Sequence, residues 1–180
     1  QAGVSTALAS LNEPIVPTGG PLSVAVAAAA PARDAAGELL APSNPLTQAQ
    51  LAPLVAEAER RWVASGLVPA SFDWSQLRFE IRDLGPNYVG LYQPQDTILL
   101  DDDGAGWGWY VDATPADDAE FAFDGSAASD SPAAGKIDLL STVLHELGHR
   151  LGLEDDPRAA SVMTETIATG TRRTLPLPPP

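Results

Sequence analysis

His145 and His149 are the only histidines in the 180-residue chain, and Glu146 directly follows the first of them in "HELGHRLGLEDD", residues 145 to 156. On a helix of 3.6 residues per turn the two imidazoles stand on one face, one turn apart. There both can reach a single metal ion at about 2.0–2.1 Å. Glu146 is then rotated by about 100° from His145, so its carboxylate sits beside such an ion rather than on it, where a general base is needed. A catalytic zinc takes three protein ligands and keeps a fourth position for water. The chain has no cysteine and no third histidine, so the third ligand must be a carboxylate. Gly152 lets the chain leave the helix sharply, and Asp155 can swing back beneath the ion, with Asp156 and Glu154 as alternatives. An ion held there would lower the pKa of its water from 15.7 towards about 7, and Glu146 would take the proton as the hydroxide attacks a polarised carbonyl. The five residues from His145 to His149 are not specific by themselves, because a polar helix face carries the same types without any metal.

The elements that must position these groups are legible nearby. Ile137, Leu140, Leu144, Leu147 and Leu151 recur at helical spacing with Gly152 as the stop, which predicts a helix carrying both histidines. Upstream, "TQAQLAPLVAEAERRWVASG" opens on Thr47 with Gln50 three residues on, a capping box. It then spaces Leu51, Leu54, Val55, Ala58 and Trp62 along one face of a helix ending at Gly66. Pro53 lies beyond the first helical position, so either a later start or a kink is expected there. "LRFEIRDL" alternates Leu77, Phe79 and Ile81 against Arg78, Glu80 and Arg82, the period of a half-buried strand. "DTILLD" and "GWGWYV" read as two further strands separated by the turn-rich "DDGAG", and Asp112 to Gly135 as a long loop that binds something or moves.

Composition bounds the rest. Ten basic against 24 acidic residues give a net charge of -14, which disfavours nucleic acid and anionic membranes and leaves no basic stripe. No run of about 18 apolar residues occurs, so no membrane insertion by a helix is expected. Without cysteine there is no disulfide and no thiolate metal site. Residues 1–45, rich in Ala, Pro, Gly and Ser, read as a linker or pro-segment with "PLSVAV" as a lone strand. Residues 46–174 read as the folded domain, and "LPLPPP", residues 175–180, as an extended polyproline tail. The opening residue is Gln1 and the first basic residue is Arg33, so the opening stretch lacks the n-region of a signal peptide. The expectation is a piece of a larger precursor that is secreted or displayed at the cell surface.

"HELGHRLGLED" resembles the zinc-binding motif of the metzincin clan, and "ASVMTE" further on resembles the methionine turn that underlies the zinc there. Met163, the only methionine, follows Asp155 by eight residues, a spacing similar to the matrixin branch. The resemblance implies His145, His149 and Asp155 as zinc ligands, Glu146 as the catalytic base and Met163 as a hydrophobic floor. It implies an α+β fold, a twisted, mostly parallel sheet with an antiparallel edge strand packed on two long helices, followed by a short C-terminal subdomain. The clan's usual third ligand is histidine; Asp155 resembles the small snapalysin-like branch in this respect. Glu165 stands where astacin-like and serralysin-like relatives carry a tyrosine. "DDAEF", Asp117 to Phe121, resembles the acidic metal loop of matrixins but has Glu120 in place of their histidine, so no structural second zinc is expected. "GWGWYVDATP" and "TGTRR" resemble matrixin-like segments of long bacterial surface proteins.

The function these residues imply is zinc-dependent endopeptidase activity on protein or peptide substrates, an extended strand docking along a sheet edge. The alternatives are a zinc-stabilised domain without catalysis and a domain that processes its own longer chain. Residues 1–45 can cover the cleft only without the thiolate switch of matrixins, and Asp34 is the candidate to replace it. "LLDDDGAGWGWYVD" suggests Ca2+ as a secondary cofactor, with Asp101, Asp102, Asp103 and Asp112 as donors, although the spacing is not that of an EF-hand. Trp107, Trp109 and Tyr110 are expected to pack against the sheet rather than line a cleft. Lys136, Arg150, Arg172 and Arg173 are expected as solvated surface charges, the last pair with processing as an alternative.

Overall fold

The structure, a computed structural model, describes the backbone of residues 22–26 together with residues 45–158 and 161–175. Asp34 and most of the proposed linker and proline-rich tail lie outside the described residues. In chain order the elements are β1 (Leu22–Val26), α1 (Gln48–Ala64), β2 (Arg78–Ile81), β3 (Tyr88–Gln93), β4 (Thr97–Leu100), β5 (Trp109–Tyr110), β6 (Ile137–Asp138), α2 (Leu139–Arg150) and β7 (Thr166–Ile167).

Helix α1 begins where the capping box places it. The Thr47 hydroxyl accepts from the Gln50 amide at 3.3 Å, and the Gln50 side chain accepts from the Thr47 amide at 3.0 Å. Pro53 lies inside the helix on its exposed side, where the amide it lacks exposes a carbonyl to water rather than to the core. The opposite face buries Leu51, Leu54, Ala58 and Trp62. Against it packs α2, whose Leu139, Leu140, Val143, Leu144 and Leu147 complete one core with Ile98, Leu100 and Met163. The Trp62 indole donates to the Leu144 carbonyl at 3.1 Å and so fixes the approach of the two helices.

The five-stranded sheet has the order β2-β4-β3-β1-β7. β2 and β4 run parallel, as do β1 and β7, while β3 is antiparallel to both of its neighbours. Four strands thus share one direction, and the opposing strand is central instead of at the edge that the resemblance implied. The cause is local. "YVGLYQPQDTILL" closes as a hairpin through Gln95 and Asp96, both at positive φ. Asp96 then ion-pairs with Arg150 at the end of α2, 2.8 Å away, and accepts from Tyr92. Arg150 is therefore a paired, half-buried residue stacked over Phe72, not a solvated charge.

Three further expectations change. The predicted "GWGWYV" strand shrinks to Trp109–Tyr110, paired with Ile137–Asp138 in a second small sheet. Ile137 consequently belongs to a strand, and α2 starts two residues later than its apolar spacing suggests, at Leu139 after the N-cap Asp138. The long segment after Asp112 is fastened at several points: Arg61 binds the Pro115 carbonyl and Asp118, and Ser126 bridges to Thr171. Trp107 and Trp109 pack on Val89, Ala105, Ile137 and Ile167, as expected. Among the described residues no helix is long and apolar enough to cross a membrane.

Candidate active site

Asp138 starts the helix that bears the two histidines, its carboxylate accepting from the Ser141 amide at 3.0 Å and hydroxyl at 2.6 Å. The other end closes as a Schellman motif. Leu153 N–H reaches the Gly148 carbonyl and Gly152 N–H the His149 carbonyl, with Gly152 at φ 81°. This turn redirects the chain so that Asp155 returns to the helix face it has just left. Asp155 Oδ1 lies 3.4 Å from His145 Nε2 and 3.6 Å from His149 Nε2. Of the three carboxylates considered, Asp155 is the one grouped with the histidines. Asp156 is bound by the Arg158 guanidinium, and Glu154 is exposed.

The protonation pattern of the imidazoles follows from their second nitrogens. His145 Nδ1 lies 3.0 Å from the Val162 carbonyl and His149 Nδ1 2.9 Å from the Leu153 carbonyl. A carbonyl can only accept, so both Nδ1 atoms carry the proton and both Nε2 atoms present lone pairs. Both Nε2 atoms are buried and have no hydrogen-bond partner. Burial, followed by the neighbouring His149, pushes His145 down to about 3, and burial also lowers His149. The rings are therefore neutral, the form that ligates a metal. Asp155 is pushed up by burial, with Glu165 and Glu154 adding to it and His149 opposing.

Two buried lone pairs facing one carboxylate are costly unless a cation joins them. Ligands about 2.1 Å from a tetrahedral centre stand about 3.4 Å apart, close to both distances found here. The donor set of two imidazoles and one carboxylate fits zinc.

Glu146 is fully buried. A β-carbon added at Gly90 would lie 2.4 Å from Glu146 Oε1, so strand β3 runs directly against this carboxylate only because residue 90 is glycine. Sequence reading missed β3 altogether, and with it Gly90.

Met163 is buried beneath the helix against Gly148, where an added β-carbon would lie 2.2 Å from the methionine sulfur. Alanine is the better helix former by about 1 kcal/mol. Gly148→Ala is nevertheless expected to destabilise by about 1–3 kcal/mol, since Met163 and Trp62 must both shift. Chemical denaturation of the two proteins checks this, and a stabilised variant would refute the packing argument.

Two residues placed on the surface by sequence reading belong to the support of this site. Arg173 donates to the Ser161 and Thr166 carbonyls and to the Thr164 hydroxyl, bracing the turn whose Val162 carbonyl orients His145. Arg172 is buried, ion-paired with Asp112, Asp118 and Asp138 at 2.8–3.0 Å. Asp112 is thereby taken out of the supposed calcium quartet. Asp101, Asp102 and Asp103 stay close together, but the Asp101 carboxylate already accepts from the amides of Leu84, Asp103 and Ala105. It is the anchor of a turn, pushed up to about 6 by burial.

A helix bearing two neutral imidazoles, a returning carboxylate and an adjacent buried glutamate defines the metal-assisted hydrolases as a class. The matrixin family model matches residues 34–179, and the chain belongs to that family of zinc metalloendopeptidases. The mixed sheet and two helices are compatible with a matrixin-like fold. No curated protein and no solved structure matches the chain.

Proposed function

We propose that the chain is a zinc-dependent endopeptidase in which His145, His149 and Asp155 hold the metal and Glu146 is the general base. The observation that carries this reading is the pair of buried Nε2 lone pairs facing Asp155 Oδ1, with both Nδ1 protons committed to backbone carbonyls. Bound zinc supplies Lewis acidity, lowering the pKa of a water and polarising the peptide carbonyl. The Val162 and Leu153 carbonyls hold the imidazoles in one tautomer and one orientation. The Glu146 carboxylate takes a proton from the attacking water and returns it to the amine that leaves. Gly90 brings the β3 backbone up to that carboxylate, so an extended peptide added beside β3 has its own backbone near the base. Met163 supplies an apolar floor.

The test is zinc titration of the purified chain beside cleavage of a peptide mixture read by mass spectrometry. One zinc per chain is expected, with cleavage lost to a chelator and restored by zinc. Loss of an outer-shell partner alone typically costs 10–100-fold in affinity. Asp155→Ala should therefore weaken binding by more than about tenfold, while Asp156→Ala, which removes a partner of Arg158, should leave it near the parent value. Tight zinc binding without any cleavage would favour the non-catalytic alternative.

A further inference from the structure

The two imidazoles of the site are oriented by different parts of the chain. His149 Nδ1 meets the Leu153 carbonyl, four residues on, inside the turn that ends α2. His145 Nδ1 meets the Val162 carbonyl, seventeen residues on, in a separate segment. The first acceptor is placed by the continuation of α2 itself, the second only by whatever holds residues 161–166 against the helix. Arg173 touches both sides of that joint. Its amide donates to the Ser141 hydroxyl at 2.7 Å, one turn before His145 on α2, and that hydroxyl donates to the N-cap Asp138 at 2.6 Å. Its guanidinium donates to the Ser161 carbonyl and the Thr164 hydroxyl at 3.1 Å each, and to the Thr166 carbonyl at 3.2 Å. The Val162 carbonyl thus stands between two held neighbours. The Ser161 carbonyl is bound by Arg173, and the Met163 carbonyl accepts from the Asp156 amide at 2.7 Å. The preceding residue, Arg172, is ion-paired with the same Asp138, so the arm that reaches the turn has a fixed base.

We infer that Arg173 is a positioning residue for the metal: by clamping residues 161–166 to the first turn of α2 it keeps the Val162 carbonyl on His145 Nδ1, and so aims the Nε2 of His145, but not that of His149, at the metal position. This rests on the zinc reading of the site. Nothing in the zinc motif announces the residue, which lies ten positions beyond Met163. A guanidinium suits the task because its planar fork of donors addresses three acceptors at once, where an ammonium is a compact point charge on a flexible stem. An imidazole that loses the acceptor of its second nitrogen is no longer fixed in tautomer or orientation, and binding must then order it at a cost. The C-terminal segment is therefore coupled to metal affinity through one histidine only.

The experiment compares the full chain with its Arg173→Met and Arg173→Lys variants. Zinc affinity is measured by competition with a chelator, and the two Nδ1–H protons of the metal-free proteins are followed by NMR through their exchange with solvent. The methionine variant is expected to bind zinc about tenfold more weakly, the lower end of what an outer-shell partner is worth. Its His145 proton should exchange at least about tenfold faster while the His149 proton keeps the parent rate, because the Leu153 carbonyl has no contact with Arg173. Lysine keeps the charge and the stem but not the fork, so it should recover part of both losses. Zinc affinity within about twofold of the parent in the methionine variant overturns the inference and leaves the endopeptidase reading intact. Equal acceleration of both histidine protons overturns it too, since a general loosening of the fold would give that result. A lysine variant at parent values on both counts also overturns it, and this arm stands even where the methionine variant does not melt cooperatively. A parent chain that binds no zinc overturns the reading of the site together with the inference.

Discussion

Glu146→Gln is expected to lower kcat/KM by on the order of 10²–10⁴, the usual worth of a positioned general base, while one zinc per chain still binds. That range corresponds to about 3–5 kcal/mol of lost transition-state stabilisation. Glutamine matches glutamate in shape, which matters because Glu146 is fully buried and its Oε1 has no room to move towards Gly90. The substitution leaves His145, His149, Asp155 and the carbonyls behind them in place, so zinc affinity and thermal stability should stay near those of the parent. What glutamine cannot do is accept a proton from water or hand one to a departing amine. Steady-state kinetics on a peptide found in the cleavage screen, beside a zinc titration, separates the two roles. A variant that keeps full activity would exclude Glu146 as the base. One that loses zinc as well would show that its charge serves the metal rather than the water.

How much of this was legible beforehand depended on the range of the interactions involved. The capping box of α1, its buried face and the grouping of His145, His149 and Asp155 are set by residues within a few turns of one another. Local spacing therefore carries them. The Schellman turn belongs to the same class, since Gly152 announces it. β3 escaped because "YVGLYQ" has a glycine where alternation would want a side chain, and because its turn uses Gln95 and Asp96 at positive φ in place of glycine or asparagine. The reason for Gly90 is a contact with Glu146, 56 positions later in the chain, and no local pattern encodes it. The position of β1 is likewise a matter of long-range pairing: "PLSVAV" can be read as a strand, but not as one that lies beside β3 and β7. The arginines failed for the opposite reason. Arg172 and Arg173 follow a turn and precede a proline-rich tail, a context in which charges are usually solvated, and only the fold brings three aspartates to the first of them.

Removal of that first arginine should have the largest effect on stability. The Arg172 side chain is almost wholly buried, with Asp112 and Asp138 equally buried around it and Asp118 at the rim. Its guanidinium also lies 4.4 Å from the centre of the Phe121 ring, a contact that adds to the attraction when desolvated. Burial alone would lower its pKa, but the hydrogen bonds that it donates to Asp138, Asp112 and Asp118 raise it instead, so the cation is bound more tightly than it is desolvated. Arg172→Met keeps most of the volume and strands buried carboxylates without a counter-charge, a change that costs about 3–5 kcal/mol. For a chain of this size that corresponds to a fall in Tm of about 10 °C. Screening is weak for buried pairs, so the loss should persist in high salt, unlike that of a surface ion pair. Arg172→Lys should recover only part of it, because an ammonium cannot address three carboxylates in fork geometry. The consequence reaches the active site through Asp138, which caps the helix bearing both histidines and binds Arg172 with the same carboxylate. The methionine variant should therefore show faster amide exchange in the first turn of α2 as well as a lower Tm. Thermal melts of the parent and both variants at low and high salt decide the matter. A methionine variant within about 1 kcal/mol of the parent would show that the three aspartates find other partners, and that α2 does not depend on the C-terminal segment for its start.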